Sequence, residues 1–435
     1  MNLTNLKKIF LANGCKKIYA KTLAQNDLSK SQVYFGGSFD VLNIFPIEEI
    51  TTDSSGDWDS ERFKATLGFS WIQEDGSLSI APHAKLILYP AYPEVRFSGF
   101  LKNSRNAPSL LMNMKIGGRI LFMGVSGRGT VLGYVVGPDS EIANEFNSIK
   151  LLHESIFSVI ELEESQNNRE KLLAELLRIY NLGWIRSKRL NNKGEVLPCN
   201  APNCGGYTLE AELGITPNGY SEPDFLGWEI KQFGVANFEK INSKIITLMT
   251  PEPTHGIYKT DGAEAFIRKY GYPDVSGKPD RINFGGIHKS GINHPKTNLT
   301  LELIGFDNNT GKIRNADGRI ALIDKDENET ASWSFASLLK HWNRKHNQAC
   351  YIPSQALDDE GRNYKYGNNI ILGSGTDFQL FLKEMSIGHI YYDPGIKMEN
   401  MSTKPLIKKR SQFRIAAGNL GNLYKNQEFI NISKV

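Results

Sequence analysis

Leu172, Leu173, Leu176, Leu177 and Tyr180 recur at the three- and four-residue spacing of one helix face, with Asn168 placed to cap the helix and Gly183 to stop it. Before that helix the pattern differs. Residues 66–72 and 78–80 are short apolar runs around the turn signal Glu74-Asp75-Gly76, and residues 85–89 form another. Residues 119–125 and 130–136, joined by Ser126-Gly127-Arg128-Gly129, predict a hairpin, and residues 6–11 predict an opening helix that ends near Gly14. Short strands divided by Gly and Asn turns argue for a barrel or sandwich. Residues 161–168, ELEESQNN, are polar and acidic and read as a linker. The chain therefore divides into a mostly β domain, 1–160, the linker 161–168, and a second domain, 169–435.

In the second domain, residues 184–203 read as a basic, Asn-rich loop and residues 245–249 as a strand closed by Pro251 and Pro253. Residues 262–270 predict a helix, and residues 282–286 open an irregular stretch. Strand-like alternation over residues 299–322 breaks at Asn308-Asn309-Thr310-Gly311, a hairpin signal. Residues 332–346 form an amphipathic helix: Phe335, Leu338, Leu339 and Trp342 share one face, and Lys340, Arg344 and Lys345 the other. Strands over 349–352 and 369–372 and a helix over 378–384 follow. Helices interleave with strands here, an α/β pattern.

Length and charge narrow this picture only a little. The 435 residues suffice for two or three cores, and a net charge of +4 permits a nucleic-acid partner without demanding one. The first 14 residues hold too short an apolar run for a signal sequence and no stretch approaches a membrane span, so the expectation is a soluble, cytoplasmic protein without membrane contact. Four cysteines are too few for a disulfide framework; Cys199 and Cys204 have a spacing some zinc sites use, but without His partners reduced, unpaired thiols are expected. His288, Lys289 and His294 read as surface or DNA-contact residues.

The chemistry concentrates in residues 205–232, GGYTLEAELGITPNGYSEPDFLGWEIKQ. In an extended strand Glu229 and Lys231 project to one side, on an exposed edge, while Trp228 and Ile230 point into a core. Asp224 stands five residues before Glu229, across a glycine at Gly227 that permits the chain to bend back. Two carboxylates with a lysine suit a Mg2+ ion beside a phosphate: Asp224 and Glu229 supply oxygen ligands, the Ile230 carbonyl adds a third, and Lys231 faces the attacking water or the phosphate that is cut. Glu229-Ile230-Lys231 is the only place in the sequence where an acid stands two before a lysine. Residues 208–213 predict a short helix; Glu210 and Glu212 on it cannot both face the site, and one is expected to be solvated.

TLEAELGI, a polar turn and PDFLGWEIK resemble the MvaI/BcnI restriction endonucleases, relatives of the mismatch-repair nickase MutH within the PD-(D/E)xK nuclease fold. The resemblance covers the chain from about Glu170 onwards. It implies an α/β catalytic domain with a mixed central sheet, in which Glu210 is the helix-borne active-site acid, Asp224 and Glu229 are metal ligands, and Lys231 is the catalytic lysine. It also implies a monomer acting on double-stranded DNA, with a cognate methyltransferase shielding the host's own sites. The order of the first domain is similar to the DNA-binding effector domain of EcoRII-type enzymes; Arg96, Lys102 and Arg105, which follow Tyr89-Pro90-Ala91-Tyr92-Pro93, and Arg128 at a hairpin tip are its candidate phosphate contacts.

The C-terminal stretch has no acidic residue from Met401 to Gln427. YYDPGIK and KKRSQFR resemble recognition segments of the same family and make Asp393, Lys397, Lys408, Lys409, Arg410, Gln412 and Arg414 candidate DNA contacts; Arg suits guanine, Gln adenine and Asp cytosine. The expected function is Mg2+-dependent, site-specific cleavage of double-stranded DNA by a type II restriction endonuclease within a restriction-modification system. The alternatives are a MutH-like repair nickase, or a DNA-binding protein in which the nuclease fold is only structural.

Overall fold

The hairpin around Ser126-Gly127-Arg128-Gly129 forms, with Arg119–Val125 and Val131–Val136 antiparallel from Val125 opposite Val131 to Ile120 opposite Val136. It lies within the first of two units, residues 1–167 and 168–435, of the computed structural model. The structure describes residues 1–25, 32–53, 61–90, 94–162, 168–201, 203–216 and 223–434, the Arg344 side chain excepted.

The first unit is mostly β. A seven-stranded sheet runs from Leu152–Glu154 through Phe157–Glu161, Lys17–Leu23, the two hairpin strands and Phe69–Ile72 to Leu78–Ile80. A five-stranded sheet orders Gln32–Tyr34, Glu94–Ser98, Lys85–Tyr89, Arg62–Thr66 and Glu49–Asp53. Phe35, Phe45, Phe69, Phe97, Phe100 and Phe157 are buried, with ring centroids 4.8–5.8 Å apart where they touch. Alternate residues of short strands point inward, which brings these rings together. The opening helix is longer than the apolar run alone suggested, Leu3–Ala12, because Asn2 caps it by accepting from the Asn5 N–H at 2.9 Å. Arg96 pairs with Glu94 and lies over the Tyr89 ring, while Lys102, Arg105 and Arg128 are exposed. Ala91, Tyr92 and Pro93 lie outside the described residues, as do residues 163–167 of the expected linker. Its end residues belong to regular elements, Glu161 to a strand and Asn168 to a helix.

In the second unit the helix Asn168–Asn181 buries Leu172, Leu173, Leu176 and Ile179; Leu177 and Tyr180 are only partly covered, so its inward face centres further round than the leucine pattern suggested. The sheet is mixed. Gln348–Asp358 is its long central strand, with Glu229–Gly234 parallel on one side and Arg362–Tyr366 and Asn369–Ser374 antiparallel on the other. Asn426–Asn431 extends it beyond Asn369–Ser374, and Ile185–Arg186 beyond Arg362–Tyr366. One face packs on the leucine helix and on the helix Cys204–Glu212.

The helix Phe335–His346 packs on the helix Phe378–Ser386, with Phe335 against Phe378 and Trp342 against Phe381. Phe335, Leu338, Leu339 and Trp342 are at most 1% exposed, and each such burial contributes about 2 kcal/mol. It begins at Phe335 rather than at residue 332 because Glu329–Ser334 is strand, ended by Ser334, whose hydroxyl caps the helix at the Ser337 N–H. Residues 184–203 are not a loop: Lys188–Leu190 and Val196–Pro198 pair as a hairpin whose turn Asn191 closes by accepting from the Lys193 and Glu195 amides. Residues 281–285 likewise form a strand, paired with Gly395–Glu399. No described helix is long and apolar enough to cross a membrane.

Candidate active site

Asp224 reaches the Glu229–Gly234 strand through a two-residue turn. Phe225 and Trp228 exchange both backbone hydrogen bonds, at 2.8 and 2.9 Å, while Leu226 and Gly227 take φ of 50° and 87°. Positive φ at both central positions makes a tight hairpin turn, which glycine accepts freely and leucine only under strain. The chain doubles back so that Asp224 Oδ2 accepts from the Ile230 N–H at 2.9 Å. The glycine bend inferred from Gly227 therefore exists, and its consequence is an aspartate tied to the backbone between Glu229 and Lys231.

Glu229 and Lys231 share one face of the strand, and Trp228 and Ile230 enter the core below the two helices. The edge is not exposed as the sequence suggested: Glu229 is 2% exposed. Its Oε1 accepts from Lys231 Nζ at 2.6 Å and lies 3.5 Å from Lys345 Nζ, which descends from the Phe335–His346 helix. Its Oε2 is buried with no hydrogen-bond partner. Burial, followed by the charge of Glu229, pushes the Asp224 carboxyl up to about 6, opposed by the Ile230 N–H and by Lys345. Two ionised carboxylates cannot donate to each other, so Glu229 Oε2 acquires a partner only if a proton or a cation enters between the acids.

The helix carrying Glu210 spans Cys204–Glu212, one turn earlier than expected. Its start is held by the Tyr366 hydroxyl donating to the Gly205 carbonyl at 2.7 Å, and Thr208 Oγ1 bonds the Lys188 backbone at 3.1 and 3.2 Å. Gly205 fits closely there: a Cβ would lie 2.9 Å from Gln232 Oε1 and 3.1 Å from the Tyr364 ring. Cys199 and Cys204 are bonded as a disulfide, not reduced: the return strand of the 188–198 hairpin sets Cys199 beside the helix start, with the Cα atoms 5.8 Å apart. Cys15 and Cys350 are free and buried.

Glu210 borders a pocket of about 460 Å³ with Arg189, Asn191, Lys193 and Tyr207. Its carboxyl is raised by burial, then by Asp224 and Glu229, which places it within their field. Glu212 turns away but is not solvated: its carboxylate meets Lys188 at 2.5 Å and Arg178 at 3.5 Å, fixing helix to hairpin and to the leucine helix. The structure thus brings Glu210, Asp224, Glu229 and Lys231 together.

Among the described residues no three His, Cys, Asp or Glu side chains converge as a metal-binding group. A hard divalent ion needs no more than one or two carboxylates with waters and phosphate oxygens. The orphaned Glu229 Oε2 and the charge-averse Asp224 carboxyl beside it fit such an ion.

Sequence reasoning missed two further elements. Lys345 read only as part of a polar helix face, and no pattern along the chain could show which strand that face meets. The second is a recess of about 240 Å³ lined by Lys231, Thr247, Pro251, His341 and Lys345. His346 also borders it and is buried and stacked on Trp342, its ring nitrogens each 3.1 Å from a carbonyl oxygen, of Trp342 and of Leu248. Burial, then Lys231, lowers this imidazole to about 3, so it is neutral and donates from one nitrogen only.

The C-terminal candidates lie within folded structure. Phe413–Ala416 pairs with Ile245–Met249 and Tyr391–Tyr392, placing Arg414 opposite Thr247 at the recess wall. Asp393 accepts from Arg414 at 2.5 Å, and the buried Gln412 Oε1 and Arg414 Nε have no hydrogen-bond partner. Lys397 and Lys408 face each other across a hairpin and share Glu399 at 3.4 and 3.8 Å. Lys409 sits over the Tyr258 ring and Arg410 packs on Gly395; both are exposed. His288 is not a surface residue: it is fully buried, bonded to the Gly286 carbonyl and Thr297 hydroxyl and stacked on His294, which is partly covered. Lys289 is exposed.

A family model described as the MvaI/BcnI restriction endonuclease family matches residues 173–424. No curated protein matches the chain. Among solved structures, a complex of restriction endonuclease MvaI with cognate DNA substrate is 20% identical, covering 61% of this chain and 98% of its own with a TM-score of 0.45. Restriction endonuclease MvaI in the absence of DNA is 19% identical over the same shares, with a TM-score of 0.33.

Proposed function

This chain belongs to the MvaI/BcnI restriction endonuclease family and is a type II restriction endonuclease, and on that premise we propose that it cuts double-stranded DNA with Mg2+ at a PD-(D/E)xK site formed by Asp224, Glu229 and Lys231. The observation that carries the reading is the buried Glu229 carboxylate, with one oxygen on Lys231 at 2.6 Å and the other unpartnered beside Asp224. Asp224, Glu229 Oε2 and the Ile230 carbonyl are the proposed metal ligands. When bound, Mg2+ supplies Lewis acidity and a bound water of lowered pKa.

The chain's own groups do the rest. The turn at Leu226-Gly227 and the Ile230 N–H hold Asp224 in place, so the acids need little rearrangement. Lys231 stabilises the charge that builds on the attacked phosphate, and Glu210, at the edge of its pocket, orients the water or a second ion. Gln412 and Arg414 are the proposed readers of base edges, and Lys397, Lys408, Lys409 and Arg410 the proposed phosphate contacts, with Asp393 freed from Arg414 on binding. The enzyme acts as a monomer, nicking the two strands in turn, in the cytoplasm beside a methyltransferase that protects the host's sites.

Plasmid digestion tests this. The expected outcome is full linearisation at fixed positions in Mg2+, none in chelator, and fragment ends that share one short sequence. Nicked circles that never linearise favour the repair nickase. DNA retardation with no cleavage in Mg2+ or Mn2+ leaves only a binding protein.

A further inference from the structure

Glu229 is contacted by two ammonium groups where one would neutralise it. Lys231 makes the short contact, at 2.6 Å; Lys345 stands at 3.5 Å on a flexible stem with 31% of its side chain exposed. The backbone beneath Lys345 does not move easily, since Trp342, one turn back, is fully buried and its indole N–H is bonded to Thr376 at 3.0 Å. Freedom is therefore confined to the lysine side chain, and its other surroundings are the recess it lines with Lys231, His341, Thr247 and Pro251.

That recess is built for an anion. Two lysines border it, with the His341 imidazole beside them. Thr247 in its wall lies opposite Arg414 on the neighbouring strand. Because Lys231 borders both the acids and the recess, an anion held there is the immediate neighbour of whatever Lys231 faces across the acids.

We propose that Lys345 is a second working lysine: in the free protein it holds the ionised Glu229, and when a divalent cation takes that place it turns into the recess and binds the DNA phosphate next to the one that is cut. This rests on Asp224, Glu229 and Lys231 being the cleavage site. It makes Lys345 a positioning residue, coupling metal arrival to the seating of the backbone.

Three measurements on the full chain test it: Ca2+ titration without DNA, the salt dependence of binding in Ca2+ to a duplex carrying the site found by end sequencing, and cleavage in Mg2+. Lys345→Gln is expected to tighten Ca2+ binding about threefold, since a competing cation is gone. It should flatten the slope of log affinity against log salt by about 0.9, one phosphate contact, and slow cleavage about tenfold. Lys345→Arg, which keeps the charge, should retain the wild-type slope. An unchanged slope in Lys345→Gln, or weaker Ca2+ binding, overturns the proposal. If Lys231→Ala abolishes cleavage while Lys345→Gln behaves as wild type, only this inference fails; if the unsubstituted protein does not cut, the site reading fails with it.

Discussion

Lys231→Ala is expected to slow single-turnover cleavage by on the order of a thousandfold or more, while duplex binding in Ca2+ stays within a few-fold of wild type. The size follows from burial: an ammonium 2.6 Å from a carboxylate that is 2% exposed acts where water screens poorly. Glu229→Ala should be at least as damaging to cleavage, since it removes a proposed metal ligand and the partner of Lys231 together. Both lysines left behind retain solvent contact, at 21% and 31% of their side chains, so the variant should fold. Circular dichroism and a melting curve beside the rate measurement separate lost chemistry from lost structure. Wild-type rates in either variant would show that the bonds are cut elsewhere.

The second large effect concerns Asp224 and pH. Its carboxyl ordinarily titrates near 3.8 but is raised to about 6 here, by burial first and Glu229 next. The metal-free folded protein therefore holds this proton more tightly than the unfolded chain does. The stabilisation this provides is complete below about pH 4 and is lost as pH rises through 6. Asp224→Asn, which keeps an oxygen for the Ile230 N–H, should escape that loss. In chelator at pH 7 to 8 it should be more stable than wild type by on the order of 2 kcal/mol, and it should be inactive. Cleavage by the wild type should fall about tenfold per unit below pH 6, as the proton competes with the metal for one oxygen. A variant less stable than wild type in chelator at pH 8 would mean that Asp224 is a structural acid. The trade is a familiar one for a site that keeps like charges together until its ligand arrives.

The sequence revealed the strand better than its surroundings. Alternation alone places Glu229 and Lys231 on one face and Trp228 and Ile230 on the other, and Gly227 marks the bend that returns Asp224. Both are local consequences of backbone geometry. Burial of Glu229 was not legible, because it depends on a helix more than a hundred residues later that covers the strand's face with Lys345. For the same reason Glu212, solvated on paper, is held by Lys188 and Arg178 from two other elements.

The Cys199–Cys204 bond escaped notice because spacing says nothing of the hairpin that aims one cysteine at the other. The basic stretch after residue 400 was legible in its charge but not in the strands that carry it. Arg414 turns to Asp393, Lys408 shares Glu399 with Lys397, and Lys409 and Arg410 stay on the surface. Lone motif residues were thus readable where the chemistry is local, and unreadable where a long-range pairing decides what a side chain meets.

Anomalous diffraction from crystals grown with Mn2+ tests the central claim most directly. A single strong peak within coordination distance of Asp224, Glu229 Oε2 and the Ile230 carbonyl, absent in Asp224→Asn, is the expected result. Saturating Mn2+ with no peak between those two acids, in a protein that still cuts DNA, would contradict it.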